Sequence, residues 1–284
     1  MNVATTLSEF RALRTQLAGP VGFVPTMGYL HEGHLSLARL ARSSCESVVA
    51  SIFVNPTQFA PSEDLSSYPR NIDCDLELLT QEGVDLVLVP LNNDKVYPAG
   101  YDTWVDVAGI TQRLEGTSRP THFRGVATIV AKLFNIVRPQ RAFFGQKDAQ
   151  QAIVIQRMIR DLNFDVELVL GPTVREPDGL AMSSRNAYLS KEERSAATAL
   201  HRCLKSVEGL YTEGERRAEN LRQAMLEVLQ AEPLARPDYL SVATLDTLEE
   251  LEMIDGKALV SLAVRIGSTR LIDNIILPPG ESLF

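Results

Sequence analysis

Five short, mainly apolar runs set the strongest constraint on what this chain can fold into: Val21 to Pro25, Val48 to Val54, Val84 to Val89, Arg141 to Phe144 and Val166 to Leu170. A strand with one wet face alternates apolar and polar residues, whereas a strand covered on both faces does not. Helical patterns lie between the runs. Thr6 and Glu9 form a capping box ahead of Leu7, Phe10, Leu13 and Leu17, a helix expected to open the chain and stop at Gly19-Pro20. Further helical stretches are expected from His34 to Ser43, Asp73 to Glu82, Phe123 to Val137 and Asp148 to Leu162. Strands and helices in strict alternation predict an α/β fold with a parallel sheet clothed by helices on both faces. Ligands of such sheets bind beyond the carboxyl ends of the strands.

The pattern changes after Gly171-Pro172. Ser190 and Glu193 form a second capping box leading into a long helix, another helix runs from Arg217 to Gln230, and strand-like runs follow near Tyr239, Leu259 and Arg270. A smaller α+β domain is expected here. With 284 residues, the chain is read as two domains, 1–172 and 173–284, joined by a linker containing Pro172 and Pro177. Clefts between domains are favoured sites for small molecules.

Composition excludes several partners. A net charge of -8, with Lys and Arg scattered rather than gathered into a stripe, argues against nucleic acid. The longest apolar runs fall well short of the roughly 18 to 20 residues of a membrane span. Glu9, Arg11 and Arg14 interrupt the first helical pattern, so no secretory leader is expected and a cytoplasmic location is. Cys45, Cys74 and Cys203 are odd in number and widely spaced, which signals neither a disulfide framework nor a zinc site.

The strongest local signal is P-T-M-G-Y-L-H-E-G-H, residues 25 to 34, between the first long strand and the next helix. Gly28 and Gly33 allow a tight turn, and the amides and dipole of a helix N-terminus favour anions. His31 and His34 add two donors on one helical face, and half of the chain's four histidines lie in this one turn. The spacing is wrong for H-E-x-x-H zinc, and neither a Walker A loop nor G-x-G-x-x-G is present. Two downstream segments are compact and polar: F-G-Q-K-D, residues 144 to 148, and M-S-S-R, residues 182 to 185. Lys147 stands at a strand end where an ammonium can meet a triphosphate, and Asp148 could cap the next helix or meet a ribose. Ser183, Ser184 and Arg185 could neutralise charge on departing pyrophosphate. Asn55, Gln58 and Phe59 follow the second run, where amides could sit over a substrate, and Gln150 and Gln151 open the helix after Lys147.

Taken together, these segments resemble the pantothenate synthetase (pantoate–β-alanine ligase) family of the nucleotidylyltransferase group, whose H-x-G-H signature stands here as His31-Glu32-Gly33-His34. F-V-N-P-T-Q-F, Y-P-R followed by Asp75, R-P-T-H-F-R-G-V, F-G-Q-K-D-A-Q-Q and R-E-P-D-G-L-A-M-S-S-R-N match in order. The resemblance implies a Rossmann-like, doubly wound N-terminal domain and a smaller C-terminal domain that closes over ATP. It implies a two-step reaction: pantoate attacks the α-phosphate of ATP to give pantoyl adenylate and pyrophosphate, then β-alanine displaces AMP. His34 would be the proton-donating, phosphate-contacting histidine, His31 its companion. Met27, Gly28, Tyr29, Leu30 and Glu32 to His34 would line the ATP site. Gly145, Gln146, Lys147, Asp148, Val174 and Met182 to Arg185 would complete it. Gln58 and Gln151 would bind pantoate, with Asn55 beside them, and Arg119 and His122 would belong to a flap over the site. Asp75 would stand near magnesium. A homodimer is also implied. Gln146 and Ala149 depart from the family's usual Glu and aromatic residue.

The residues read alone reach only an ATP-using nucleotidyl transferase. An enzyme that leaves the nucleotide on its product, an aminoacyl-tRNA synthetase and a nucleotide sensor without turnover share the histidine turn, although the tRNA enzyme needs an RNA surface that this acidic chain lacks.

Overall fold

The computed structural model of the chain describes residues 1–61 and 63–284. Strands β1 (Asn2–Ala4), β2 (Val21–Thr26), β3 (Ser47–Ile52), β4 (Leu86–Leu88), β5 (Arg141–Gly145) and β6 (Glu167–Gly171) form one sheet in the order β1-β4-β3-β2-β5-β6. All of its pairings are parallel. All six residues of β3 are buried, its two serines included, as expected of a mainly apolar strand covered on both faces. From β2 the chain steps outward through β3 to β4, then returns to the other side of β2 for β5 and β6. That reversal opens a crevice between the carboxyl ends of β2 and β5, the place where doubly wound sheets bind ligands.

Helices α1 (Leu7–Arg14), α5 (His122–Val137) and α6 (Ala149–Asp161) cover one face, where Phe10, Phe134 and Met158 join the core with Phe23 and Phe144. Helices α2 (Glu32–Ser44) and α3 (Ile72–Gln81) cover the other, around Leu37, Ala41, Leu79 and Phe143. The expected layering is therefore present, with differences at the ends. A strand, not a helix, opens the chain: β1 has only three residues, too few to show a period. Thr6 caps α1 by accepting from the Glu9 amide at 3.2 Å, but the helix ends at Arg14, where the Thr15 hydroxyl turns back to the Ala12 carbonyl at 2.8 Å.

The C-terminal part is an antiparallel sheet of β7 (Ala235–Ala243), β8 (Ala258–Ile266) and β9 (Thr269–Leu277), packed on α8 (Ala199–Thr212) and α9 (Ala218–Gln230). The single long helix expected after Ser190 is two helices. The Ser190–Glu193 box starts α7 (Lys191–Ala196), and Thr198 then donates its hydroxyl to the Ser195 carbonyl at 2.7 Å, competing with the helical ladder at the break before α8. The two sheets share an apolar seam in which Phe123, Ala152 and Ile153 meet Leu248, Leu259 and Ile276. At the edge of that seam, Arg270 of β9 holds Glu115 of α4 (Glu115–Ser118) through two bonds of 2.6 and 2.8 Å. Among the described residues, no helix is long and apolar enough to cross a membrane.

Candidate active site

A cleft of about 770 Å³ opens at the β2/β5 crevice, walled on its far side by β8, β9 and the segment from Pro172 to Tyr188. The loop after β2 forms its floor. Thr26 accepts from the Gly28 amide at 3.2 Å, and the chain then passes through two left-handed residues, Gly28 at φ 84° and Tyr29 at φ 52°. A side chain at Gly28 would strain that turn and strike Ile52 and Asp75 at about 3 Å. Asp75 of α3 lies under the loop, accepting from the Tyr29 and Leu30 amides at 2.8 and 2.7 Å.

His31 is the N-cap of α2. Its Nδ1 accepts from the Gly33 amide at 3.2 Å, and Nδ1 of His34 accepts from the His31 amide at 3.3 Å, so the two imidazoles replace the Ser and Glu of an ordinary capping box. An Nδ1 that accepts a backbone N–H bears no proton, which places the proton of each neutral ring on Nε2. The rings lie 4.1 Å apart and present two N–H donors at a helix N-terminus. Burial lowers the His31 pKa to about 4, with Lys147 adding to the shift, and burial together with the neighbouring His31 lowers that of His34 to about 3. Both rings are neutral donors near pH 7.

His122, the first residue of α5, has the opposite tautomer. Its Nδ1 lies 2.9 Å from the Gln58 carbonyl, which can only accept, so Nε2 carries a free lone pair. Burial first, then Arg119, pulls its pKa down to about 4. Gln58 ends a single 3-10 turn, Pro56–Gln58, packed against α5 where Gly125 leaves room: a side chain there would meet the Thr57 carbonyl at 2.4 Å. Asn55 donates to the Gln58 Oε1 at 3.0 Å and to the Gly125 carbonyl at 3.2 Å, which fixes the Gln58 amide with its NH₂ group towards the Met27 sulfur, to which it donates at 3.2 Å.

The M-S-S-R segment reaches the same place. The Ser184 hydroxyl bonds the Tyr29 carbonyl at 3.2 Å, joining two motifs 155 residues apart. Arg185 pairs with Asp64 at 3.2 Å and Arg119 with Glu63 at 2.6 Å, so adjacent acids on one loop hold an arginine from each wall. Lys147 stands 3.5 Å from Asp148. Desolvation would raise the Asp148 carboxyl, but Lys147 and Arg185 outweigh it and hold the group below the usual range.

Met27, His31, Gly33, His34, Gly145, Lys147 and Asp148 line the cleft, as do Val174, Met182, Ser183, Ser184 and Arg185, with Gln58, Gln151, Arg119 and His122. Other expected positions serve differently. Asn55 is 1% exposed and spends its amide on Gln58, so it positions that residue instead of touching a ligand. Asp75 is 2% exposed, lies outside the cleft lining and accepts one loop amide on each oxygen, so it braces the loop from beneath. Glu32 turns outward to pair with Arg39, while Gly28, Tyr29, Leu30 and Gln146 shape the turns without lining the cleft. Asp148 occupies the N-cap position of α6 but makes no side-chain cap bond. Gln150, 6% exposed, is a strut that accepts from the Glu115 amide and donates to the Ile110 and Arg113 carbonyls. Sequence reading missed Glu63, Asp64, Arg270 and Asn274. The only available hint was a polar Asp-Asn pair inside the otherwise apolar strand L-I-D-N-I-I-L.

The neutral histidines make stability depend on pH. Their pKa is about 6.5 when unfolded and lower when folded, so below pH 6.5 the unfolded chain binds more protons and stability falls as pH drops towards 4. Carboxylates held low, such as Glu63 and Asp64, add their loss only further down, through and below the ordinary carboxylate range. Urea unfolding of the unliganded protein is expected to give steadily lower midpoints at pH 7, 5.5 and 4.5; a flat response over that window would mean the imidazoles are not buried neutral.

Comparison with known proteins places this cleft in a family. The family model described as pantoate-beta-alanine ligase matches residues 2–276. A pantothenate synthetase of Roseiflexus castenholzii is 60% identical over 277 residues, covering 98% of this chain and 99% of that protein. The crystal structure of pantothenate synthetase from Thermus thermophilus superposes with a TM-score of 0.93 at 48% identity, over 97% of this chain and 99% of that one. That of the Francisella tularensis pantoate-beta-alanine ligase, complexed with beta-gamma ATP and beta-alanine, gives a TM-score of 0.81 at 32% identity, over 99% of this chain and 100% of that one. The chain, with its histidine-capped helix at the head of the cleft, belongs to the pantoate–β-alanine ligase family.

Proposed function

We infer that the protein is an ATP-dependent ligase that condenses pantoate with β-alanine to form pantothenate. One observation carries the reading: the family match spans the segments that the fold gathers around one cleft. A relative of the same fold, crystallised with an ATP species and β-alanine, supports it.

A carboxylate is a poor acylating agent and AMP a good leaving group, so we propose a pantoyl-adenylate intermediate. A pantoate oxygen bonds to the α-phosphorus as pyrophosphate departs. The β-alanine nitrogen then bonds to the acyl carbon, AMP leaves with the bonding pair, and the amine gives up a proton. His31 and His34 supply preorganised Nε2–H donors to phosphate oxygens, and Lys147, Ser183, Ser184 and Arg185 offset charge on the departing pyrophosphate. Gln58, its amide locked by Asn55, and Gln151 hold pantoate. Arg119 and His122 face the second substrate, where the His122 lone pair can accept from its ammonium.

Magnesium is proposed as the ion that accompanies ATP on its phosphate oxygens. The described residues hold no group of three His, Cys, Asp or Glu that could cage it. We further propose a homodimer in cytoplasm and a domain boundary near residue 172. The boundary is supported by the change from parallel to antiparallel pairing after β6, and the compartment by three free thiols in an ATP-using enzyme.

Isotope exchange between pyrophosphate and ATP tests the chemistry. Exchange is expected with pantoate present and β-alanine absent, and free AMP is expected once β-alanine is added. No pantoate-dependent exchange, or a product that keeps the nucleotide, would overturn the assignment.

A further inference from the structure

Asp273 and Asn274 sit side by side in the middle of β9, 2% and 3% exposed, in a strand that is otherwise mostly apolar. Neighbouring strand residues point to opposite faces, so this polar pair can grip two different segments. The Asn274 Nδ2 donates to the Gln146 carbonyl at 3.1 Å and the Lys147 carbonyl at 2.8 Å. Asp273 takes Arg175 through two bonds of 2.6 and 2.9 Å, and Arg175 in turn bonds the Gly179 carbonyl at 3.0 Å. That bond closes the short hairpin in which Met182 bonds back to Val174, and Ser183 to Arg185 follow directly. Two adjacent residues of the C-terminal sheet thus hold both segments that would meet the triphosphate, one from each side of the cleft.

We infer that Asp273 and Asn274 are positioning residues for nucleotide binding, an inference that rests on reading the cleft as an adenylating site. The physical need is specific. Carbonyl oxygens at the head of a helix repel phosphate, and a donor that draws the Gln146 and Lys147 carbonyls towards β9 leaves the Lys147 ammonium and the helix amides to face the anion. A buried amide is held to that orientation, since rotating it would set its oxygen against two carbonyls.

The test is the Michaelis constants of pantoate-dependent exchange in Asn274→Ala, Asn274→Ser and Asp273→Asn, with thermal midpoints measured alongside. The KM for ATP is expected to rise at least tenfold in Asn274→Ala and less in Asn274→Ser, which keeps one donor. The KM for pantoate should stay within twofold of the parent. An ATP KM within twofold of the parent in Asn274→Ala would overturn the inference, as would equal losses towards both substrates. If Asn274→Ala does not fold, the Ser variant and hydrogen exchange at the 146–148 turn decide: faster exchange there with an intact midpoint supports the role, unchanged exchange refutes it. Failure of the parent enzyme to exchange would sink the adenylation reading instead, so the two failures are distinguishable.

Discussion

Replacing His34 with alanine is expected to lower pantoate-dependent exchange by about 10²- to 10³-fold, the usual effect of losing one preorganised donor to developing charge. The reason lies in how the ring is held. Its Nδ1 accepts from the His31 amide, so the proton must be on Nε2, and with a pKa of about 3 the ring is a fixed neutral donor at working pH. A neutral donor binds phosphate oxygens without the tight ground-state grip of a full charge and needs no reorganisation as charge builds. Alanine also removes half of the reciprocal cap at the start of α2, worth about 1 kcal/mol. A stability of about 5 to 15 kcal/mol can absorb that loss, so circular dichroism should report an unchanged fold. Asn in place of His keeps an N–H donor but not its reach, and should fall between the parent and alanine. A fall of less than threefold in His34→Ala would place the triphosphate elsewhere.

Legibility in the sequence followed the range of each interaction. The mainly apolar run that became β3 and the Ser190–Glu193 box are local, and each appears where its pattern placed it. The histidine turn was also local, because its glycines and caps lie within ten residues. By contrast, nothing near Asn55 reveals that its amide is used up on Gln58 and on a helix 70 residues later. The pairing of Glu63 with Arg119 and of Asp64 with Arg185 spans 56 and 121 residues, and each acid alone reads as solvated surface. Family resemblance named many of the residues that gather at the cleft, but it set Asp75, which braces the loop from beneath, near magnesium. Sequence patterns carry strand and cap chemistry; which polar atoms are already satisfied emerges only from packing.

Asp75 provides the sharpest test of that difference. Asn in its place has the same shape, yet only one of its two terminal atoms accepts, while both Asp75 oxygens now receive backbone N–H groups at 2.8 and 2.7 Å. The substituted NH₂ must face an amide N–H, donor against donor, in a site that is 2% exposed. A charge-assisted bond contributes about 1.5 to 3 kcal/mol, and an orphaned buried donor costs a similar amount, so Asp75→Asn is expected to lose about 3 kcal/mol and roughly 6 to 12 °C in thermal midpoint. The loop it supports passes through two left-handed residues and ends in the histidine cap, so ATP affinity should fall as well, although no ligand atom need touch Asp75. A magnesium ligand would behave differently: its loss would spare the midpoint and shift the magnesium concentration needed for half-maximal exchange. Titrating magnesium into Asp75→Asn should therefore give the parent's dependence at a reduced ceiling, because the lost interaction holds the backbone that shapes the phosphate site and no added cation can replace it.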